Sequence, residues 1–203
     1  KFMHKEIHEQ ADAMRICMAG RLSDADKPIV FEQIGLSEDE IKTLNKVVFT
    51  ACGTAYHAGV VGRYLMDKIA RIPADADLAA ELQVRDPVIL DNTLCVVVSQ
   101  SGETADTLEA LRTMKEKGAK IVSIINTVDS SIARESDGVA YIQAGPEIGV
   151  ASTKAYTMQV LTITLLTLYF AQIRGTCDPA RLRRIKQALL DLPAQAEELL
   201  GRE

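Results

Sequence analysis

Apolar and polar positions along the chain alternate between two textures. Short β-branched apolar runs occur at Val47-Val48-Phe49-Thr50-Ala51, Leu94-Cys95-Val96-Val97-Val98, Ile121-Val122-Ser123-Ile124-Ile125 and Val139-Ala140-Tyr141-Ile142. Such runs read as strands covered on both faces, the habit of a parallel sheet. A weaker strand is expected after Pro73, over 74–78. Between the runs the spacing lengthens toward 3.6 residues. Residues 58–70 carry Val60, Val61, Tyr64, Leu65 and Ile69 near that period, and 104–117 carry Leu108, Leu111 and Met114 before a stop at Gly118. Helices are also expected over 4–19 and 37–45, and over 179–200, where Leu182, Ile185, Leu189 and Leu192 form one stripe of a charged helix. The order β-α-β, a loop, β-α-β-α-β, then helix predicts an α/β fold with a doubly wound, five-stranded parallel sheet and extra helices at both ends.

One helical segment needs a membrane check. Residues 155–173 include Leu161, Ile163, Leu165, Leu166, Leu168 and Phe170, approaching the roughly 20 apolar residues of a span. Thr157, Gln159, Thr162, Thr164 and Thr167 interrupt it and Lys154 precedes it. Polar groups at membrane depth are costly, so a helix in a core or subunit interface is expected, and no membrane. So long an apolar surface is seldom left exposed, which motivates a homodimer.

Composition narrows the picture further. The chain has 203 residues, 47% hydrophobic and 25% charged; that is one full-sized domain with helical extensions rather than a disordered, collagen-like or disulfide-stapled chain. With 23 Lys+Arg against 28 Asp+Glu the net charge is -5, and no basic run is available for a polyanion, which excludes nucleic acid as the first choice of partner. Cys17, Cys52, Cys95 and Cys177 lie far apart with no C-x-x-C, pointing to a reducing, cytoplasmic setting. The chain opens on Lys1 with neither a signal nor a transit pattern, as it would if it began within a longer protein.

In open α/β sheets ligands bind at the carboxyl ends of strands where the strand order reverses. Two loops matter most by that rule: Cys52-Gly53-Thr54 after the first strand, and Ser99-Gln100-Ser101-Gly102-Glu103-Thr104 after the strand of 94–98. In a flavodoxin-like order these strands are neighbours and both loops face one crevice. The second loop runs directly into a helix, whose N-terminus favours an anion. Ser99, Ser101 and Thr104 add hydroxyls, and Gly102 permits a positive-φ turn. The loop has neither P-loop nor G-x-G-x-x-G spacing. Taken alone, an N-capping Ser101 with Gly102 as a turn residue explains the string as well as a ligand does. Cys52-Gly53-Thr54 alone reads as a tight turn with a buried Cys.

A third loop, 145–154, has two Gly and a Pro before a long helix, with Ser152 or Thr153 as cap and donor. Lys154 reads as a solvated charge or as part of this wall. Glu147 is the one carboxylate placed for acid-base work, yet a structural or capping duty suits it better without a visible base. His4 and His8 are four apart, but Lys5 stands where H-E-x-x-H requires Glu, so they read as helix-surface residues and no metal is expected. His57 reads as a packing residue.

Together the three loops resemble the first sugar-isomerase (SIS) half of the glucosamine-6-phosphate synthase family, and Lys5-Glu6-Ile7-His8-Glu9-Gln10 is similar to the segment that leads into that family's isomerase region. The resemblance runs from about Phe2 to Leu200. It implies an SIS domain over 47–174, a helical extension over 1–46, and a connector helix over 175–203 toward a second SIS half. It also implies an amino-sugar-forming enzyme in which this half binds fructose 6-phosphate or glucosamine 6-phosphate. By the resemblance Ser99, Gln100, Ser101 and Thr104 hold the phosphate, Thr54 and the backbone near Val150 contact the sugar, and Ser152 is a further contact. Ala55 stands where the family often has Ser. The resemblance assigns catalysis to parts not found in this sequence: a glutaminase Cys, and a Glu, His and Lys of the second half. The chain is then expected to bind without catalysing, with no cofactor, and with the rest of the synthase as partner. A stand-alone SIS sugar-phosphate sensor is the alternative. A flavodoxin-like redox carrier fits poorly, because the loops offer no aromatic apart from Tyr56.

Overall fold

The computed structural model describes residues 1–202. Five parallel strands, β1 (Lys46–Ala51), β2 (Ala74–Leu78), β3 (Thr93–Ser99), β4 (Lys120–Ile125) and β5 (Gly138–Tyr141), form one sheet in the order β2-β1-β3-β4-β5. All four pairings are parallel, with Phe49 beside Val96 and Val96 beside Val122 in register. The doubly wound reading of the sequence therefore holds, with each strand within about a residue of its expected place.

Alternate residues of these strands feed two cores, as a period of two requires. Val47, Phe49, Val96, Val98, Val122 and Ile124 face one side, with α2 (Gln10–Met18), α4 (Gly53–Leu65) and α8 (Lys154–Arg174). Val48, Cys95, Val97, Ile121 and Ile125 face the other, with α5 (Ala79–Arg85), α6 (Ala105–Glu116) and α7 (Ser131–Glu135). The remaining helices are α1 (Phe2–His8), α3 (Glu38–Thr43) and α9 (Pro179–Leu200). Helix α9 lays Leu182, Ile185, Leu189 and Leu192 against the first core, so its stripe is a packing face.

Three details depart from the sequence reading. The expected loop between β2 and β3 holds α5, whose only buried residues are Ala79 and Leu82, too few to print a helical period. The expected helix 4–19 is two helices with a junction at Glu9. Helix α4 begins at Gly53, before its first apolar residue of the 3.6 pattern, and continues into a π-helical turn over Met66–Ala70.

Helix α8 is long and apolar enough to cross a membrane, but this fold uses it as a core helix: Leu165, Leu166, Leu168 and Phe170 are fully buried, and it packs against α2, α3 and α4. Its threonines fit because their hydroxyls find partners. Thr164 and Thr167 donate to the carbonyls of Val160 and Ile163, at 2.8 and 2.9 Å, and Thr162 Oγ1 lies 3.2 Å from Cys17 Sγ. The apolar surface that motivated a homodimer is thus largely taken up within the chain. All four cysteines are free thiols.

Candidate functional site

From β1 the chain crosses to β2 at one edge, and from β3 it crosses to β4 on the other side. The carboxyl ends of these adjacent strands therefore bound the crevice where the winding reverses. Two helices begin there. Helix α4 has Cys52 as its N-cap and α6 has Thr104, and neither cap makes a side-chain hydrogen bond to its helix. The first-turn N–H groups keep their donor capacity and partial positive charge. Thr107 of α6, 1% exposed, donates its hydroxyl to Cys52 Sγ at 3.4 Å and links the two helix starts.

The loop from Ser99 to Thr104 is held by its own backbone. Ser99 is buried, and its Oγ accepts from the Gly102 amide at 3.0 Å. Ser101 Oγ accepts from the Glu103 amide at 3.2 Å. As acceptors in these bonds, both hydroxyls keep their protons for another partner. The Gln100 carbonyl accepts from the amides of Asn126 and Thr127, each at 3.3 Å, and the Gly102 carbonyl from the amide of Ile132 at 3.0 Å. Gly102 has φ +69, and a methyl group there would meet Ser130 Oγ at 2.0 Å. The turn therefore needs glycine for its dihedral and for its space. Glu103 points its carboxylate at the start of α7, accepting from the Ser131 amide at 2.8 Å. That backbone hydrogen bond holds its carboxyl below the usual carboxylate range, helped by the Ser131 side chain.

Ser99, Gln100, Ser101 and Thr104 thus share one preorganised loop, and Thr54 is exposed in the first turn of α4, whose N-cap Cys52 is tied to α6. Ala55, which stands where the resembling family often has Ser, is buried. A cavity of about 700 Å³ lies one strand farther along, lined by Gln100, Asn126, Thr127, Tyr141, Gln143 and Glu147 among others. It adjoins the loop through Gln100 but does not include Ser99, Ser101 or Thr104. The helix starts, and not this larger hollow, supply the chemistry suited to an anion.

The third loop is built differently from the expectation. Val150 is fully exposed. Ser152 donates its hydroxyl to Glu147 Oε2 at 3.0 Å. Thr153 is the N-cap of α8 as expected and donates its hydroxyl to Glu147 Oε1 at 3.2 Å, but the side chain that serves the helix start is Glu147, its Oε1 accepting from the amides of Thr153 at 2.9 Å and Ala155 at 3.1 Å. The capping duty foreseen for Glu147 is the one it performs. Among the described residues no hydrogen bond joins Val150 or Ser152 to the 99–104 loop. The loop reaches that neighbourhood through Asn126, which donates to the Gly145 carbonyl at 2.7 Å and accepts from the Ala144 amide at 2.9 Å.

Two further readings are corrected. Lys154 is no solvated charge: it is 3% exposed and its Nζ lies 2.6 Å from Glu9 Oε2. The ammonium pulls the Glu9 carboxyl below its ordinary value. His57 is exposed beside the Tyr56 ring and does not pack in the core. His4 and His8 lie on the surface of α1 as expected. Sequence reasoning gave no role to Glu6, Glu9 and Thr107, which act across the fold. The one available signal was the i, i+3, i+4 spacing of Glu6, Glu9 and Gln10.

The chain is similar to known proteins over nearly its full length. A family profile described as SIS domain matches residues 40–169. The glutamine–fructose-6-phosphate aminotransferase [isomerizing] of Clostridium acetobutylicum is 50% identical over 200 residues, which is 98% of this chain and 33% of that protein. The enzyme of the same name from Methanosarcina mazei is 40% identical over 202 residues, 100% of this chain and 32% of that protein. Among solved structures, the C-terminal domain of glucosamine-fructose-6-phosphate aminotransferase from Francisella tularensis matches with a TM-score of 0.90 at 35% identity, covering 96% of this chain and 54% of that one. The chain spans about a third of the length of the curated relatives it matches.

Proposed function

Because the chain belongs to the SIS-domain family, we propose that it is a sugar-phosphate-binding module, the first SIS half of a glutamine–fructose-6-phosphate aminotransferase (isomerizing). In this reading it holds fructose 6-phosphate and its amino product, glucosamine 6-phosphate. One observation carries the proposal: two helix N-termini without side-chain caps meet at the switch point, over a hydroxyl-rich loop with a fixed backbone.

The chemistry follows from the donors. Ser99, Ser101 and Thr104 offer hydroxyls and α6 its first-turn amides, with Gln100 beside them, so the phosphate rests on neutral donors and a helix dipole. Such a site binds a phosphate dianion moderately and releases it readily, as turnover requires. Thr54 and the backbone at Val150 address the sugar, with Ser152 at the edge. Glu103 and Glu147, the carboxylates of these loops, spend oxygens on helix starts. The proposal therefore assigns proton transfer to the rest of a longer chain, with its glutaminase domain and second SIS half. A second copy is a further partner in this reading.

Calorimetry with fructose 6-phosphate tests the site. Ser101→Ala and Thr104→Ala should each weaken binding by about 1–2 kcal/mol, the worth of a charge-assisted hydrogen bond. Unchanged affinity in both variants refutes the loop as the phosphate site. Turnover of fructose 6-phosphate with ammonia by the 203-residue chain refutes the division of labour.

A further inference from the structure

The amino-terminal helices grip the third loop. Glu6 is 4% exposed; its Oε1 accepts from the amides of Ile148 at 2.6 Å and Gly149 at 3.1 Å, and its Oε2 from Gly149 at 3.2 Å. On the same helical face Glu9 pairs with Lys154, and Gln10 Oε1 accepts from the Thr157 hydroxyl at 2.7 Å. A methyl group at Gly149 would stand 2.6 Å from Glu6 Oε2, so a side chain there would displace the Glu6 carboxylate. The next residue is Val150, fully exposed, with no burial of its own to fix its backbone. A buried carboxylate without partners is costly and an exposed loop is entropically costly to order. Glu6 and the loop each meet the other's need.

We propose that Glu6 is a positioning residue for sugar recognition, fixing the backbone at Val150 by holding the two amides before it. The inference rests on the sugar-phosphate reading, in which that backbone meets the sugar while the 99–104 loop meets the phosphate. It separates the two subsites: Glu6 supports the sugar wall and leaves the phosphate loop alone. Glu6→Gln keeps an Oε1 able to accept both amides but sets an Nε2 donor where Oε2 accepts from Gly149, whereas Glu6→Ala removes the grip. Gly149→Ala attacks the same contact from the loop side, so the result does not depend on one variant folding.

Calorimetry with fructose 6-phosphate and with inorganic phosphate is the test, paired with hydrogen exchange at the Ile148 and Gly149 amides. Glu6→Ala and Gly149→Ala should weaken fructose 6-phosphate about tenfold, the scale of hydrogen bonds to a charged group. Their affinity for inorganic phosphate should stay within about twofold and exchange at the two amides should speed up, while Glu6→Gln, which keeps the Oε1 bonds and loses the Oε2 one, should fall between the parent and Glu6→Ala in fructose 6-phosphate affinity and in exchange. Fructose 6-phosphate affinity unchanged in Glu6→Ala, or both affinities falling by the same factor, overturns the positioning role alone. No binding of fructose 6-phosphate by the unaltered chain overturns the sugar-phosphate reading, and this inference with it.

Discussion

Gly102→Ala is the sharpest test of how the fold makes the site. Gly102 sits at φ +69, where an L-residue pays about 1–2 kcal/mol. The added methyl would also meet Ser130 Oγ at 2.0 Å and Ser130 Cβ at 2.5 Å, with Ile125 Cγ2 at 3.2 Å. Ser130 is 3% exposed and serves as N-cap of α7, so it has little room to retreat; overpacking of this kind costs roughly 1–3 kcal/mol. The sum is about 3 kcal/mol, or a fall in Tm of roughly 6–12 °C for a chain of this length. Ser130→Gly removes both close atoms, and its hydroxyl makes no hydrogen bond where it is buried. Glycine in place of serine at an N-cap costs only a few tenths of a kcal/mol. Gly102→Ala combined with Ser130→Gly should therefore recover the steric part and keep the dihedral part, a coupling of about 1–3 kcal/mol. Urea unfolding of the four proteins, with slopes compared as well as midpoints, measures the cycle. A loss below about 1 kcal/mol for Gly102→Ala, or no recovery in the double variant, refutes the claim that Gly102 is required by dihedral and space together.

Two further outcomes are expected. Glu147→Ala removes the cap of α8 and should destabilise the chain by about 1–3 kcal/mol in urea unfolding, combining a cap with charge at a helix N-terminus; a loss within about 0.5 kcal/mol contradicts the capping role. Glu40 caps α3 in a capping box with Ser37 and pairs with Lys120 at 2.6 Å. The Lys120 hydrogen bond first, then the Ser37 backbone and hydroxyl, draw its carboxyl down to about 2. Because the folded value lies below the unfolded one, its stabilisation is complete above the ordinary carboxylate range and is lost as pH falls toward about 2. The side chain is 43% exposed, so solvent screening holds the contribution to about 1 kcal/mol. The stability gap between the parent and Glu40→Gln should shrink as pH falls from 6 to 2, and a gap independent of pH is the contrary result.

Strands β1, β3 and β4 were legible because each is buried on both faces and so prints a short apolar run, whereas β2 and β5, at the sheet edges, are only partly buried and β2 prints a weak one. The place of the candidate site followed from strand order, since loops after β1 and β3 share a crevice once β1 pairs with both β2 and β3. Helix α5 was not legible, because a seven-residue helix that buries only Ala79 and Leu82 leaves no period to read. Lys154 was misjudged for another reason. A lone Lys before an apolar helix looks solvated until the fold brings Glu9 to it across 145 residues, and no local pattern encodes that meeting. Glu6 and the amides of Ile148 and Gly149 are the same case, a match between a side chain and a distant backbone.

For an acidic chain to bind an anion, as proposed, it must keep its own carboxylates from opposing the ligand. Three carboxylates near the crevice are given backbone targets, while Asp106, in the first turn of α6, has none among the described residues. Glu103 takes the amide of Ser131, Glu147 those of Thr153 and Ala155, and Glu6 those of Ile148 and Gly149. Each negative charge is spent on ordering a turn or a helix start, while the starts of α4 and α6 are left without a side-chain cap. Helix α3 is capped by Ser37 and Glu40 and α9 by Asp178, while α1, α2 and α5 also lack a side-chain cap, so what marks the crevice is that two such starts meet there. Net charge averages over this arrangement. The -5 of the whole chain opposes a polyanion, whose contacts extend over many phosphates. It does not oppose one phosphate held within a single helical turn, where the field is set by amides at hydrogen-bond distance.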